Sequence, residues 1–131
     1  MRSRSLNQWV PLFIWVALIF IGSSIPQLSL GDKFNVPLGA DKLAHALEYL
    51  ILAFLFYRGV REERWDKGPP AWVLAGLACL AIATLDELHQ QFIPGRDSSI
   101  WDWLADAAGV TAGTFIAKAR FKPTEREAEQ T

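Results

Sequence analysis

One cysteine, Cys79, is all this chain has, so no internal disulfide can form. It lies inside an apolar run and reads as a small packing residue. Charge of one sign is also missing: 13 basic residues stand against 14 acidic ones, which leaves no excess to attract a polyanion. The basic residues are not gathered into a nucleic-acid footprint. The chain has no glycine-rich phosphate loop, no nucleophile elbow and no internal repeat. These absences argue against nucleic-acid binding, P-loop nucleotide chemistry and elbow-type hydrolysis.

Long uncharged stretches are what the chain does have. Trp9 to Leu30, Pro69 to Leu85 and Ala107 to Ala117 carry no charge, and Leu43 to Tyr57 is broken only by His45 and Glu48. A membrane-spanning helix needs about 20 mostly apolar residues. The second and fourth runs reach that length by including their charged ends. The expected fold is therefore all-α, an integral membrane four-helix bundle, with helices over about 9–27, 41–58, 70–91 and 100–118. These form one domain over residues 1–121, followed by a polar, disordered tail at 122–131. A soluble bundle would need a polar stripe along each helix, and the first and third show none along most of their length.

Arg2 and Arg4, the following apolar run and Gly22-Ser23-Ser24 look like a secretory signal peptide. The run is long, Pro11 and Pro26 bracket it, and further spans follow, so an uncleaved first helix is expected. Basic residues favour the cytoplasmic side of a membrane. They cluster before the first helix (Arg2, Arg4), between the second and third (Arg58, Arg61, Arg64, Lys67) and after the fourth (Lys118, Arg120, Lys122, Arg126). Only Lys33, Lys42 and Arg96 lie elsewhere. Both termini are thus expected in the cytoplasm, with outer loops near 26–40 and 92–99. Trp9 and Trp72 would mark the inner interface, Trp101 and Trp103 the outer one. Pro69-Pro70 would open the third helix and Pro94-Gly95 would turn the second outer loop.

This topology brings the polar residues to one membrane face. An ionisable group costs roughly 2.5–3.5 kcal/mol at a helix centre on insertion scales, and less near an interface. At 100° per residue, Asp41, His45 and Glu48 share a face of the second helix, with Lys42 and Tyr49 beside it. Ala83, Asp86, Glu87 and Gln90 share an arc of the third, from which His89 points away. Asp102, Asp106, Gly109 and Gly113 form a stripe on the fourth. The expected pocket residues are Asp41, Lys42, His45, Tyr49, Glu87, Gln90, Arg96, Asp102 and Asp106, facing outward. The competing reading is a buried network that holds helices together, since buried charges must be paired. Asp41 and Asp102 also suit helix N-caps, the preferred single role for Asp41. Tyr49 suits an interface aromatic. Gly109-x-x-x-Gly113 permits close helix packing. His45-x-x-Glu48 and Asp86-x-x-His89 have the wrong order and faces for the Glu-x-x-His pairs of carboxylate-bridged bundles, so no metal or other cofactor is expected.

Three stretches in this order resemble the VanZ-like family of small membrane proteins. They are Asp41-Lys42-Leu43-Ala44-His45-x-x-x-Tyr49, then Asp86-Glu87-Leu88-His89-Gln90-Gln91-Phe92-Ile93-Pro94-Gly95-Arg96, then Asp102-x-x-x-Asp106-x-x-Gly109-x-x-x-Gly113. The family often has Asn at the position of Asp106. The resemblance implies a multi-pass protein of the bacterial inner (plasma) membrane. The founding member confers low-level resistance to teicoplanin, which acts outside the cell; the family name supplies no reaction.

The resulting expectation is a non-enzymatic envelope protein whose pocket binds a lipid head group or a lipid-linked wall precursor. Membrane lipids or such a precursor would be its partners, with no nucleic acid. A second reading is a membrane-embedded enzyme, with Glu87 or Asp102 as general base, His45 as general acid and Arg96 as an oxyanion or phosphate clamp. A third is a helix-packing subunit of a larger complex. The shortness of the chain favours binding over catalysis.

Overall fold

The computed structural model describes residues 2–25, 39–62, 69–96, 98–121 and 129. Four helices run up and down: α1 (Arg2–Ser23), α2 (Ala40–Glu62), α3 (Ala71–Gln90) and α4 (Ile100–Arg120), with no strand among the described residues. Of the outer loop expected near 26–40, residues 26–38 lie outside the described residues, as do 122–128 and 130–131 of the polar tail expected at 122–131. α2 is central and touches each of the other three, most extensively α4. α1 packs on α2 and, more lightly, on α3.

Local chemistry sets the ends. Pro70 is the N-cap of α3, and its carbonyl accepts from Val73 and Leu74 at 3.0 and 3.1 Å. Proline suits this position because the first turn leaves its N–H groups without helical partners. Gly39 precedes α2 at φ +94°, a backbone conformation that glycine reaches without a Cβ clash. Ser99 caps α4, its hydroxyl accepting from Trp101 N at 3.2 Å. The caps expected at Asp41 and Asp102 are thereby corrected: each lies one or more residues inside its helix, in the first turn. Their charge still favours the helix N-terminus there. Pro11 does not bracket α1 but sits inside it. A proline removes one helical hydrogen bond, and membrane helices tolerate it where neighbours compensate.

The packing is inverted relative to a water-soluble protein. Phe13, Ile21, Leu77 and Phe115 are exposed at 61–67%, whereas Asp86 and Asp106 are buried at 1% and 0%. Lipid reverses the usual cost, since apolar side chains lose nothing by facing it while polar groups must find partners inside. Three helices carry windows long and apolar enough to cross a membrane: Leu6–Ser23, Ala40–Arg61 and Ala71–Gln90. α4, expected as a fourth span, does not reach that apolarity, because Asp102 and Asp106 occupy its first two turns. Its outward residues Ile100, Trp101, Leu104, Phe115 and Ile116 are nonetheless exposed and apolar.

Two apolar clusters fill the interior. The larger joins Leu12 and Ile19 of α1, Tyr49, Leu52 and Ala53 of α2, Cys79 and Ala83 of α3 and Val110 of α4. The smaller lies at the other end, around Tyr57, Ala75 and Ala117. Between α2 and α4 the backbones almost touch. A Cβ added to Gly109 would fall 3.0 Å from Ala46 Cα and overlap the Ala46 carbonyl; one added to Gly113 would fall 2.9 Å from Leu50 Cα and overlap the Leu50 carbonyl. The small-residue stripe thus brings the N-terminal half of α4, with its two acids, against α2.

Candidate functional site

The up-down order places the C-termini of α1 and α3 and the N-termini of α2 and α4 at one end of the bundle. Their polar side chains meet there in two groups, which differ in how completely they are hydrogen-bonded.

The first group is satisfied. Asp86, 1% exposed, accepts from Ser23 Oγ of α1, from Tyr49 Oη of α2 at 3.2 Å and from Gln90 Nε2 one turn away at 3.5 Å. Gln90 also donates to Ser23 Oγ at 3.1 Å. One carboxylate thus ties three helices together, with both oxygens engaged. Lys42 Nζ bridges Asp41, at 2.7 Å, and Asp102. Lys42 thereby fastens α2 to α4 through Asp102, its single charge shared with the solvent-exposed Asp41. Burial of ionised groups is tolerable when each is paired and hydrogen-bonded in this way.

The second group is not. His45 Nδ1 lies 2.9 Å from Asp106 Oδ1, but Asp106 Oδ2 has no partner among the described residues although the residue is fully buried. Glu87, 7% exposed, accepts from Ser99 N at 3.3 Å through Oε2, and its Oε1 has no partner among the described residues. Buried polar atoms are nearly always bonded, so two orphaned carboxylate oxygens in one place call for an explanation. His45, Glu87 and Asp106 offer ligand atoms within 4.8 Å of one another, from α2, α3 and α4 respectively. Glu87 also lines a groove of about 460 Å³ between α3 and α4. Gln91, Ser98 and Ser99 give that groove a polar part, and Leu88, Ile100 and Trp103 an apolar wall.

Arg96 goes elsewhere. The turn from Ile93 to Arg96, closed by Arg96 N to Ile93 O at 3.1 Å, has Gly95 at φ +77°, as the third position of a type II turn requires. It delivers the guanidinium to the end of α1, where Nη2 donates to Gly22 O at 2.6 Å and Nε to Ile25 O at 3.3 Å. No ion pair joins it to a carboxylate among the described residues. A cation at a helix C-terminus satisfies the last carbonyls and suits the helix dipole.

Tyr49, expected at an interface, is fully buried, because it shares its face of α2 with the core residues Leu52 and Ala53. Asp41 is exposed and engaged by Lys42. Glu48 is half-buried and forms no ion pair among the described residues; its carbonyl accepts from Trp15 Nε1 at 2.9 Å. His89 is not loose on the surface but meets Ser24 Oγ at 2.9 Å and packs near Phe20. Asp86 and Ser23 are the residues that the expected pocket left out. Asp86 lies one helical turn before Gln90 and on the same arc, and that spacing was the available signal.

The enzyme reading loses parts in this arrangement. Asp102 is held by Lys42 and Arg96 by α1, which leaves His45, Glu87 and Asp106 as the groups with chemistry to spare.

A helical membrane protein with a buried, incompletely bonded acid–histidine cluster at one end of its bundle is the class that these features define. The chain belongs to the VanZ/LLP1 family, whose pattern it matches over residues 4–121. Searches among curated proteins and solved structures give no match.

Proposed function

We propose that this is a multi-pass inner-membrane protein of the bacterial envelope, crossing the bilayer four times. In this reading its groove takes up the polar head of an outer-leaflet lipid or lipid-linked wall precursor. The observation that carries it is the groove beside Glu87, polar at Gln91, Ser98 and Ser99 and apolar at Leu88, Ile100 and Trp103. An amphiphile needs both kinds of surface within one site. Orientation follows from the basic residues: Arg58, Arg61, Lys118 and Arg120 all lie at the helix ends opposite the acid cluster. On the positive-inside rule that end is cytoplasmic, so both termini are inside and the groove faces outward. A link to teicoplanin resistance belongs to the same proposal, since that drug also acts outside the cell.

Native mass spectrometry of the full chain extracted in mild detergent tests the groove. A co-purified amphiphile is expected, and Ser98→Trp, which fills the groove, should deplete it at least severalfold. Retention of the same lipid at the same level by Ser98→Trp would remove the groove from consideration. Thiol labelling in intact spheroplasts tests orientation: in a Cys79→Ala background, Ser98→Cys should react with an impermeant reagent and Arg120→Cys should not. The reverse pattern would turn the site toward the cytoplasm.

A further inference from the structure

We propose that His45, Glu87 and Asp106 form a binding site for a divalent transition-metal cation. The site is new relative to the head-group reading and does not depend on it.

The geometry points there from several sides. Three helices each contribute one residue with a metal-ligating side chain, and the ligand atoms lie within 4.8 Å of one another. A zinc ion with bonds of about 2.0–2.2 Å holds tetrahedral ligands somewhat more than 3 Å apart, so a small inward shift of side chains completes the contact. His45 Nδ1 and Asp106 Oδ1, hydrogen-bonded at 2.9 Å, would instead open slightly to admit the ion between them. The orphaned atoms Asp106 Oδ2 and Glu87 Oε1 belong to residues 0% and 7% exposed, so neither is compensated by bulk water.

Charge argues the same way. Among the described residues the lysine and arginine cations at this end are committed: Lys42 to Asp41 and Asp102, and Arg96 to the carbonyls of Gly22 and Ile25. Even a protonated His45 leaves two carboxylates facing a single positive charge. A bound divalent cation would balance them, and in a low-dielectric interior that balance is worth much more than in water. The donor set is one imidazole and two carboxylates. The only thiol, Cys79, lies two turns away along α3, about 12 Å from Glu87. Nitrogen and oxygen ligands without sulfur suit Zn²⁺, Mn²⁺ or Fe²⁺ better than Cu⁺. Three protein ligands leave at least one position open, as in metal sites that bind a further molecule. Glu87 belongs to both the triad and the groove, so that position would be within reach of a phosphate or carboxylate oxygen entering there. The combination was hidden from spacing because it takes His45 without Glu48 and Glu87 rather than Asp86.

The test uses the untagged full chain in detergent micelles, stripped with a chelator and then dialysed against zinc or manganese alone. Metal content is read by inductively coupled plasma mass spectrometry and affinity by competition with a chromophoric chelator. Close to one equivalent of at least one of these metals should be bound, and the melting midpoint should rise with its concentration. Asp106→Asn and Glu87→Gln should each weaken binding about tenfold or more. The second keeps an acceptor for Ser99 N–H and so decides the matter if the first is recovered unfolded. Thr111→Ala, an exposed side chain of α4 outside the triad and the groove, should bind as the parent does. Failure of the parent chain to take up either metal would overturn the site, as would equal binding by a folded Glu87→Gln. Lipid retention measured on the same samples reports separately on the groove.

Discussion

The two ends of this bundle are held together by different chemistry. At one end α1 to α4 are joined by carboxylates, a lysine, a histidine, a serine and a glutamine. At the other they are joined by rings. Trp9 meets Phe56 edge-on at 5.8 Å, Phe121 packs on Phe54 and Tyr57, and Arg61 lies 5.4 Å above Phe121. Lys118 covers Trp72 at the same distance. Aromatic packing and cation–π contacts close that end, and among the described residues the buried charged atoms there are nitrogens of the arginines Arg58 and Arg61, not carboxylate oxygens. The acid end therefore carries more than a fastening needs. Asp86 and the Lys42–Asp102 pair can be understood as fastening; Asp106 and Glu87, each with an unpartnered oxygen, cannot. That difference between satisfied and unsatisfied groups marks the site more sharply than the presence of charge does.

The comparison presumes that both ends hang on the same close α2–α4 seam. Breaking the seam should therefore have the largest effect. Gly113→Leu and Gly109→Leu force a side chain into the Leu50 and Ala46 backbones and should each cost about 3 kcal/mol or more, preventing accumulation of folded protein. Gly76, with nothing within 4 Å of an added Cβ, is the control: Gly76→Ala should be neutral or slightly stabilising. Equal thermal midpoints for Gly113→Leu and Gly76→Ala in detergent would mean that the seam is not where the bundle closes.

Next in size are the fastenings themselves. Asp86→Ala strands the donors of Ser23, Tyr49 and Gln90 in the interior and should cost about 2 kcal/mol. Asp86→Asn keeps acceptors for part of that set and should cost less. At the other end Phe121→Ala removes two ring contacts and one cation–π contact, for about 1 kcal/mol. The decisive readout is the triad: Phe121→Ala should lower the melting midpoint and leave metal binding at His45, Glu87 and Asp106 unchanged. Loss of both together would show that the ends are not independent.

Much of this arrangement was legible in the residues, and the reasons for the rest are physical. Apolar runs mark where a helix meets lipid, not where its hydrogen bonds begin. α1 therefore starts at Arg2 rather than near 9, and α2 continues to Glu62, past its apolar run. The 3.6-residue period fixes which residues share a face, and so it sets His45, Glu87, Asp102 and Asp106 on arcs of their helices. It does not fix how one helix is rotated against the next. Whether Lys42 or His45 would meet Asp102 could not be read from spacing, and neither could the burial of Tyr49. α4 falls below the hydropathy of a span because Asp102 and Asp106, already expected to face the pocket, lower its average.

Arg96 gives the smallest expected effect and the finest test of the division between fastening and site. It is the only basic residue between Glu87 and Asp102 in the chain, which made it a natural anion clamp. The turn at Pro94-Gly95 instead sends its guanidinium to Gly22 O and Ile25 O. Two carbonyls are bridged by two different nitrogens of a planar fork, a geometry that an ammonium reproduces poorly. Arg96→Lys should therefore lose part of the α1 contact and about 0.5–1 kcal/mol of stability, in the range of helix-terminus charge effects. Arg96→Ala should cost somewhat more. Neither should change metal uptake by the triad or the amphiphile retained in the groove, because no contact links Arg96 to Glu87 or Asp106 among the described residues. The opposite result, an unchanged melting midpoint with lost amphiphile binding in Arg96→Lys, would place the free N–H groups of the fork in the groove. Arg96 would then belong to the site, and the boundary between the two groups would move to include the second turn.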